Sequence, residues 1–262
     1  MKHKHLLLTF ALAVVVLMAN AQRTKNYEPQ TKEFMEARKS LNNNDYPTAY
    51  DYLEKEIAAN PKSGHAWFLK GWLDMYYKED MSAALNSFDR AVKLLPRKDK
   101  PYRSYAYSGR GTAYRSVGNY DAAYRDYSQA IKISPSDPQN YINRGELFYG
   151  LGKYSEALVD FTAGLKQAPD NPDAQYGVGK CYLAVKDYER CLRWLADCIK
   201  QHPDYTDYHA LMSNCYWAMG DSDKAVQFLE EAIAIEKDES KKAEFKSGLE
   251  FIREHSQSQE QK

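Results

Sequence analysis

A proline recurs every 34 residues, at Pro135, Pro169 and Pro203, and each closes the same pattern of small and aromatic residues. Gly111, Gly145 and Gly179 stand 24 residues ahead of those prolines. Ala123, Ala157 and Cys191 stand 12 ahead, and Ala130, Gly164 and Cys198 stand 5 ahead. A fixed period of this length describes one supersecondary unit, here two helices and their turns, which buries its apolar face only by stacking on its neighbours. The chain is therefore expected to be a row of helical hairpins. Such a row more often presents a binding surface than a catalytic centre.

The frame extends in both directions. Downstream of Pro203 it reaches Lys237, with Ser213, Ala225 and Ala232 at the small positions. Upstream, Gly71, Ala84, Phe88, Ala91 and Pro96 form another copy, but Pro96 and Pro135 are 39 residues apart. The extra residues fall in the stretch Arg97 to Tyr102. Asp99 is expected to be a helix N-cap and Pro101 a first-turn proline, so that the next helix starts early and runs long. A weaker first copy ends at Pro61, with Ala37, Ala49 and Leu53 in frame. There Glu56 replaces the late small residue, as expected of a terminal repeat with less to pack against.

With these residues in register, the chain resembles a tetratricopeptide repeat (TPR) protein, with six copies over roughly residues 31–237. The third and fourth copies match best: Tyr107, Gly111, Tyr114, Ala123, Tyr127, Ala130 and Pro135, then Tyr141, Gly145, Phe148, Ala157, Phe161, Gly164 and Pro169. The fifth departs by placing Cys191 and Cys198 at alanine sites and Gln175 at an aromatic one. The sixth has His209 and Ser213 at the first two signature sites and ends without a proline. The resemblance implies an all-α fold: a right-handed superhelical solenoid of six two-helix hairpins with a C-terminal capping helix.

Physical chemistry accounts for these residue types. Small residues belong where antiparallel helices cross closely, and a bulky residue at Ala123 or Ala157 would overpack the contact at a cost of roughly 1–3 kcal/mol. Tyr114, Tyr127, Phe148 and Phe161 fill the spaces between helices. Gly118-Asn119, Gly152-Lys153 and Gly220-Asp221 mark turns in which glycine takes the left-handed conformation that ends a helix, and Asn44 can do the same. Beyond Lys237, Phe245, Leu249 and Ile252 follow i, i+4, i+7 spacing, the apolar face of a helix over 238–255 that covers the end of the stack. Residues 256–262 form a polar tail.

The first 21 residues differ in character. Lys2 and Lys4 precede an apolar run from Leu6 to Met18, and Ala19-Asn20-Ala21 supplies small residues before Gln22. This is the pattern of a secretory signal peptide cleaved after Ala21, followed by a linker over 22–30. The alternative is an uncleaved anchor, but the run is well short of the roughly 20 residues that span a bilayer. With cleavage no membrane span is expected to remain. The mature protein would be periplasmic in a Gram-negative host and secreted otherwise.

Charge argues against nucleic acid as a partner. Basic and acidic residues balance at 36 each, and removing Lys2 and Lys4 leaves 34 basic residues, without the basic surplus of a nucleic-acid binder. The cluster Arg97, Lys98, Lys100 and Arg103 reads as a solvated loop, with a contact to an acidic partner as the alternative. No catalytic, phosphate-binding or zinc signature is present, so no enzyme activity, cofactor or metal is expected. Gly177, Gly179 and Lys180 only superficially resemble a phosphate loop, because they fall inside a repeat helix. Cys198 and His202 share a helix face, but two ligands do not make a metal site. Of the cysteines, Cys191 and Cys198 are two helical turns apart, about 10 Å, and cannot bond each other. Cys198 and Cys215 are the disulfide candidate; the alternative is four buried thiols at alanine sites.

The resemblance places the first helix of each copy on the concave face. It carries the groove positions onto Phe68, Trp72, Met75 and Tyr76 in the second copy and Tyr105, Thr112 and Arg115 in the third. In the fourth they are Ile142, Glu146 and Tyr149; in the fifth Tyr176, Lys180 and Leu183; in the sixth Asn214 and Trp217. Phe68, Trp72 and Met75 also have the spacing of core residues, so both placements are open. The expected ligand site comprises Trp72, Tyr76, Tyr105, Arg115, Glu146, Tyr149, Tyr176, Lys180 and Trp217. There the aromatics would give contact area, and Arg115, Glu146 and Lys180 orientation, to an extended peptide or partner helix. The lysine and asparagine pairs with which some family members grip a C-terminal carboxylate are absent from the matching sites. The expected role is a non-catalytic interaction scaffold of the cell envelope. A structural, self-associating protein is the alternative, and the oligomeric state and partner are not encoded in these patterns.

Overall fold

The computed structural model describes residues 28–257; the expected signal peptide, most of the linker and most of the polar tail lie outside them. The described chain is all-α. Its helices are α1 (Lys32–Asn42), α2 (Tyr46–Ala59), α3 (Gly64–Tyr76), α4 (Met81–Leu94), α5 (Lys100–Ser116) and α6 (Tyr120–Ile133). They continue with α7 (Pro138–Gly150), α8 (Tyr154–Gln167), α9 (Pro172–Ala184), α10 (Tyr188–Gln201), α11 (Thr206–Ala218), α12 (Ser222–Ile235) and α13 (Glu239–Gln257). Two compact units divide at Asn143 and Arg144, within α7.

In both units each hairpin is built alike. The second helix presents three residues at i, i+4, i+7 to the core: Ala84, Phe88 and Ala91 on α4, and Ala123, Tyr127 and Ala130 on α6. Unit 2 repeats this with Ala157, Phe161 and Gly164, with Cys191, Leu195 and Cys198, and with Ala225, Leu229 and Ala232. The large central residue faces the in-frame glycine of the first helix. A Cβ on Gly71 would lie 2.9 Å from Phe88, on Gly111 2.9 Å from Tyr127, on Gly145 3.0 Å from Phe161, and on Gly179 3.0 Å from Leu195. The small residue is there because a ring or branched side chain occupies the space of its missing methyl group.

Local signals set the helix ends. Asp45, Asp80, Asn119, Asp187 and Asp221 accept hydrogen bonds from backbone N–H groups in the first turn of a second helix. Asp99 does the same for α5, whose 17 residues include Pro101 in the first turn, as the insertion predicts. Gly118, Gly152 and Gly220 have positive φ, and Asn44 joins them at 57°. Glu79 and Lys186 do so as well, at 55° and 60°, without the glycine that announces such a turn.

Glu56 departs from the expectation. It is buried, not an accommodation to sparse packing, and accepts a 2.6 Å hydrogen bond from Thr31, the N-cap of α1. At the other end, Leu249 and Ile252 of α13 are buried with Leu229 and Ala232 of α12, and Phe245 packs beside them.

The disulfide candidate is corrected, and the alternative of four buried thiols holds. Cys181, Cys191, Cys198 and Cys215 are all buried free thiols, and no Cys198–Cys215 bridge is formed. Cys215 instead meets Cys191, which also donates to the Gly179 carbonyl at 3.4 Å. Two turns separate Cys191 from Cys198 along α10, so a residue on α11 can face only one of those levels.

Candidate functional site

In unit 1 the wall built by the first helices α1, α3 and α5 is largely filled by its own side chains. Phe68 and Met75, carried to the groove by the resemblance, are core residues at 0% and 3% exposure. Phe68 meets Tyr102 edge-on at 5.4 Å, and His65 meets Tyr102 at 4.6 Å. Trp72 and Tyr76 are half-buried and stack at 5.1 Å. Trp72 also sets its edge against Phe88, so it belongs partly to the core and partly to the wall. Burial raises the Tyr76 phenol pKa, Tyr127 adds to the rise, and the Arg115 guanidinium opposes it. Burial likewise pushes Tyr105 up to about 12, and Asp137 adds to it. A buried pair that sequence reasoning did not find, His65 with Asp99 at 2.8 Å, ties α3 to the start of α5.

Unit 2 brings four expected residues together. Lys180 on α9 donates to Glu146 Oε1 on α7 at 2.7 Å. The same ammonium lies over the ring of Tyr149 at 4.5 Å and that of Tyr176 at 5.3 Å. Lys180 and Glu146 are 34 residues apart, one period, so they occupy equivalent levels on successive first helices. Lys180 keeps 15% of its side-chain surface and Glu146 33%, so this group is assembled but reachable. Burial raises the Tyr176 phenol pKa, and the carboxylates of Asp207 and Glu146 raise it further. Charge thus alternates beside two aromatic faces, an arrangement able to orient a polar chain and bury its apolar groups. Ile142, also carried to the groove and lying in unit 1 just before the division, is buried. Trp217 is half-buried and meets Phe251 of α13 edge-on at 6.0 Å.

Further polar links in unit 2 were not anticipated from the sequence. Asp207 accepts from Lys241 at 2.8 Å, and Tyr205 donates to Asp173 at 3.0 Å. Gln175, the departure from an aromatic, is buried and accepts from Tyr208 at 2.7 Å while donating to Gln201 and to the Pro169 carbonyl. Arg144 grips Asp160 with two hydrogen bonds of 2.7 and 2.8 Å, and in unit 1 Arg110 holds Asp126 in the same way.

Comparison with known proteins agrees with this geometry. Tetratricopeptide repeat models match residues 148–215 and 206–239, and a TPR repeat model matches residues 111–152. The chain belongs to the tetratricopeptide repeat family. No curated protein matches it. Among solved structures, yeast Tom70 is 15% identical with a TM-score of 0.62 over 80% of this chain and 44% of its own. The chain thus spans less than half the length of that protein. A tetratricopeptide repeat protein from Parabacteroides merdae is 18% identical, TM-score 0.66, over 79% of this chain and 80% of its own. YrrB, described as a TPR protein with an unusual peptide-binding site, is 20% identical, TM-score 0.52, over 74% of this chain and 97% of its own. At these identities the likeness is one of fold. The tetratricopeptide repeat family itself suggests a protein-interaction scaffold, and its members are typically non-catalytic. Among the described residues no helix is long and apolar enough to cross a membrane.

Proposed function

We propose that the protein is an exported, non-catalytic scaffold of the cell envelope. It would be periplasmic in a Gram-negative host and secreted otherwise. In this reading it captures a peptide or partner protein on the first-helix wall of its repeats. The observation that supports this most is the group Glu146, Tyr149, Tyr176 and Lys180. Its ion pair and rings are already held in place, so little side-chain freedom is lost when a partner docks. The peptide-binding site of YrrB, on the same fold, is in keeping with this reading. The Lys2, Lys4 and Leu6 to Met18 pattern supports export.

The test is capture of a partner by crosslinking in the native envelope, comparing the wild type with Tyr149→Ala/Lys180→Ala. We expect the crosslinked partner to be lost, with binding weakened at least about tenfold, while the helical circular dichroism spectrum is unchanged. Retention of the partner by a folded double variant would remove this wall from the proposal.

A further inference from the structure

The segment ahead of α1 lies on the first-helix wall of unit 1 and is fastened there by a carboxylate. Glu28 is 6% exposed as a residue, and its side chain only 1%. One carboxylate oxygen accepts from the Tyr102 hydroxyl at 2.5 Å; the other accepts from the Arg38 guanidinium. Arg38 stands on α1 and Tyr102 on α5, the first helices of the first and third hairpins. Between them, α3 supplies His65 and Phe68, against which the Tyr102 ring packs. Glu28 and Tyr102 are 74 residues apart in sequence, so this contact is no local turn. After Glu28 the chain passes through Pro29 to the N-cap Thr31. An arginine and a tyrosine hydroxyl converging on a nearly dry carboxylate make a built acid-recognition pocket, strong because its bonds are charge-assisted and shielded from water.

We propose that this Arg38–Tyr102 pocket is a recognition site for acidic side chains, occupied in cis by Glu28, and that a partner peptide enters it with a glutamate by displacing the segment at 28–31. The proposal rests on the wall-binding reading above but concerns unit 1 and different residues. Because Glu28 is tethered, its high effective concentration keeps weak acidic peptides out. Only a partner that also uses neighbouring surface competes, so the segment sets a selectivity threshold.

The experiment uses the full chain and a fluorescent hexapeptide of the sequence Asn26 to Thr31, Asn-Tyr-Glu-Pro-Gln-Thr, read by anisotropy. The Glu28→Ala chain is expected to bind the peptide saturably, and the wild type at least about tenfold more weakly. Replacing the peptide's glutamate by glutamine, or adding Arg38→Met to Glu28→Ala, is expected to weaken binding about tenfold or more. Equal binding to wild type and Glu28→Ala, no binding to folded Glu28→Ala, or equal binding of the glutamine peptide would each overturn the proposal. Glu28→Gln, which keeps the shape and removes the charge, repeats the test should Glu28→Ala fail to fold by circular dichroism. Loss of the crosslinked partner in Tyr149→Ala/Lys180→Ala, together with no hexapeptide binding, would leave the wall-binding function standing and this pocket refuted.

Discussion

Phe161 on α8 occupies the space that a side chain at Gly177 on α9 would need: a Cβ there would lie 2.4 Å from ring atom Cδ1. The next two ring atoms would be at 2.5 and 2.6 Å, so the whole edge of the ring is in the way. The ring also meets Gly145 of its own hairpin, where a Cβ would lie 3.0 Å from Cε1. Phe161 is thus in close contact with the first helices of two successive hairpins.

Gly177→Ala is therefore expected to destabilise the protein by about 1–3 kcal/mol through overpacking, although alanine is the better helix former. Gly248→Ala on α13 is expected to do the opposite by up to about 1 kcal/mol, since its Cβ would meet only Leu229 at an ordinary 3.4 Å. Urea unfolding of both variants reads the two signs; a stabilised Gly177→Ala would show that the helices separate without penalty.

Lys186 turns the chain between α9 and α10 with φ of 60°, a conformation that strains an L-residue by about 1 kcal/mol. Glycine relieves that strain and loses part of the gain to the greater freedom of the unfolded chain. Lys186→Gly is expected to raise stability by about 0.5 kcal/mol, and Gly152→Ala, at φ 72°, to lower it by about 1 kcal/mol. Thermal melts of the pair check the contrast; a lower melting temperature for Lys186→Gly would contradict it.

Glu236 should shape the acid limb of stability. Burial by itself would raise its pKa. The Thr206 hydroxyl at 2.6 Å, the Asp238 N–H at 2.9 Å and Lys241 at 3.3 Å outweigh burial and hold it at about 2, against an ordinary 4.5. A depressed carboxyl contributes its full stabilisation above the unfolded value and loses it as pH falls toward the folded one. The wild type is expected to weaken between pH 4.5 and 2, and Thr206→Val to weaken less steeply there because its Glu236 is less depressed. Urea midpoints measured across that window decide it, and identical slopes would exclude this carboxyl as the cause.

Much of the fold was legible because its determinants are local and repeated. In the third to fifth copies the glycine, the small positions and the proline recur at fixed offsets, and the other copies restate most of the same packing instruction. Asp99 and Pro101 announced the early start of α5 by the same short-range logic. The candidate site was legible in part. Lys180 and Glu146 lie one period apart, so a search for complementary charges at that offset would have found their pair. Phe68 and Trp72 could not be apportioned between core and wall by spacing, because both faces of a first helix carry large residues here. Glu56 was misread because its partner, Thr31, belongs to another helix.

By itself, the sequence determined the hairpin unit, its period and the residues at each crossing, since these follow from the 3.6-residue helical turn and from side-chain volume. Only the tertiary structure decided which polar groups meet. Glu28 with Tyr102, Cys215 with Cys191 and His65 with Asp99 depend on non-periodic side chains brought together after the helices have stacked. Their geometry is a property of the packed backbone, and no short window of the chain contains both members of any of these pairs.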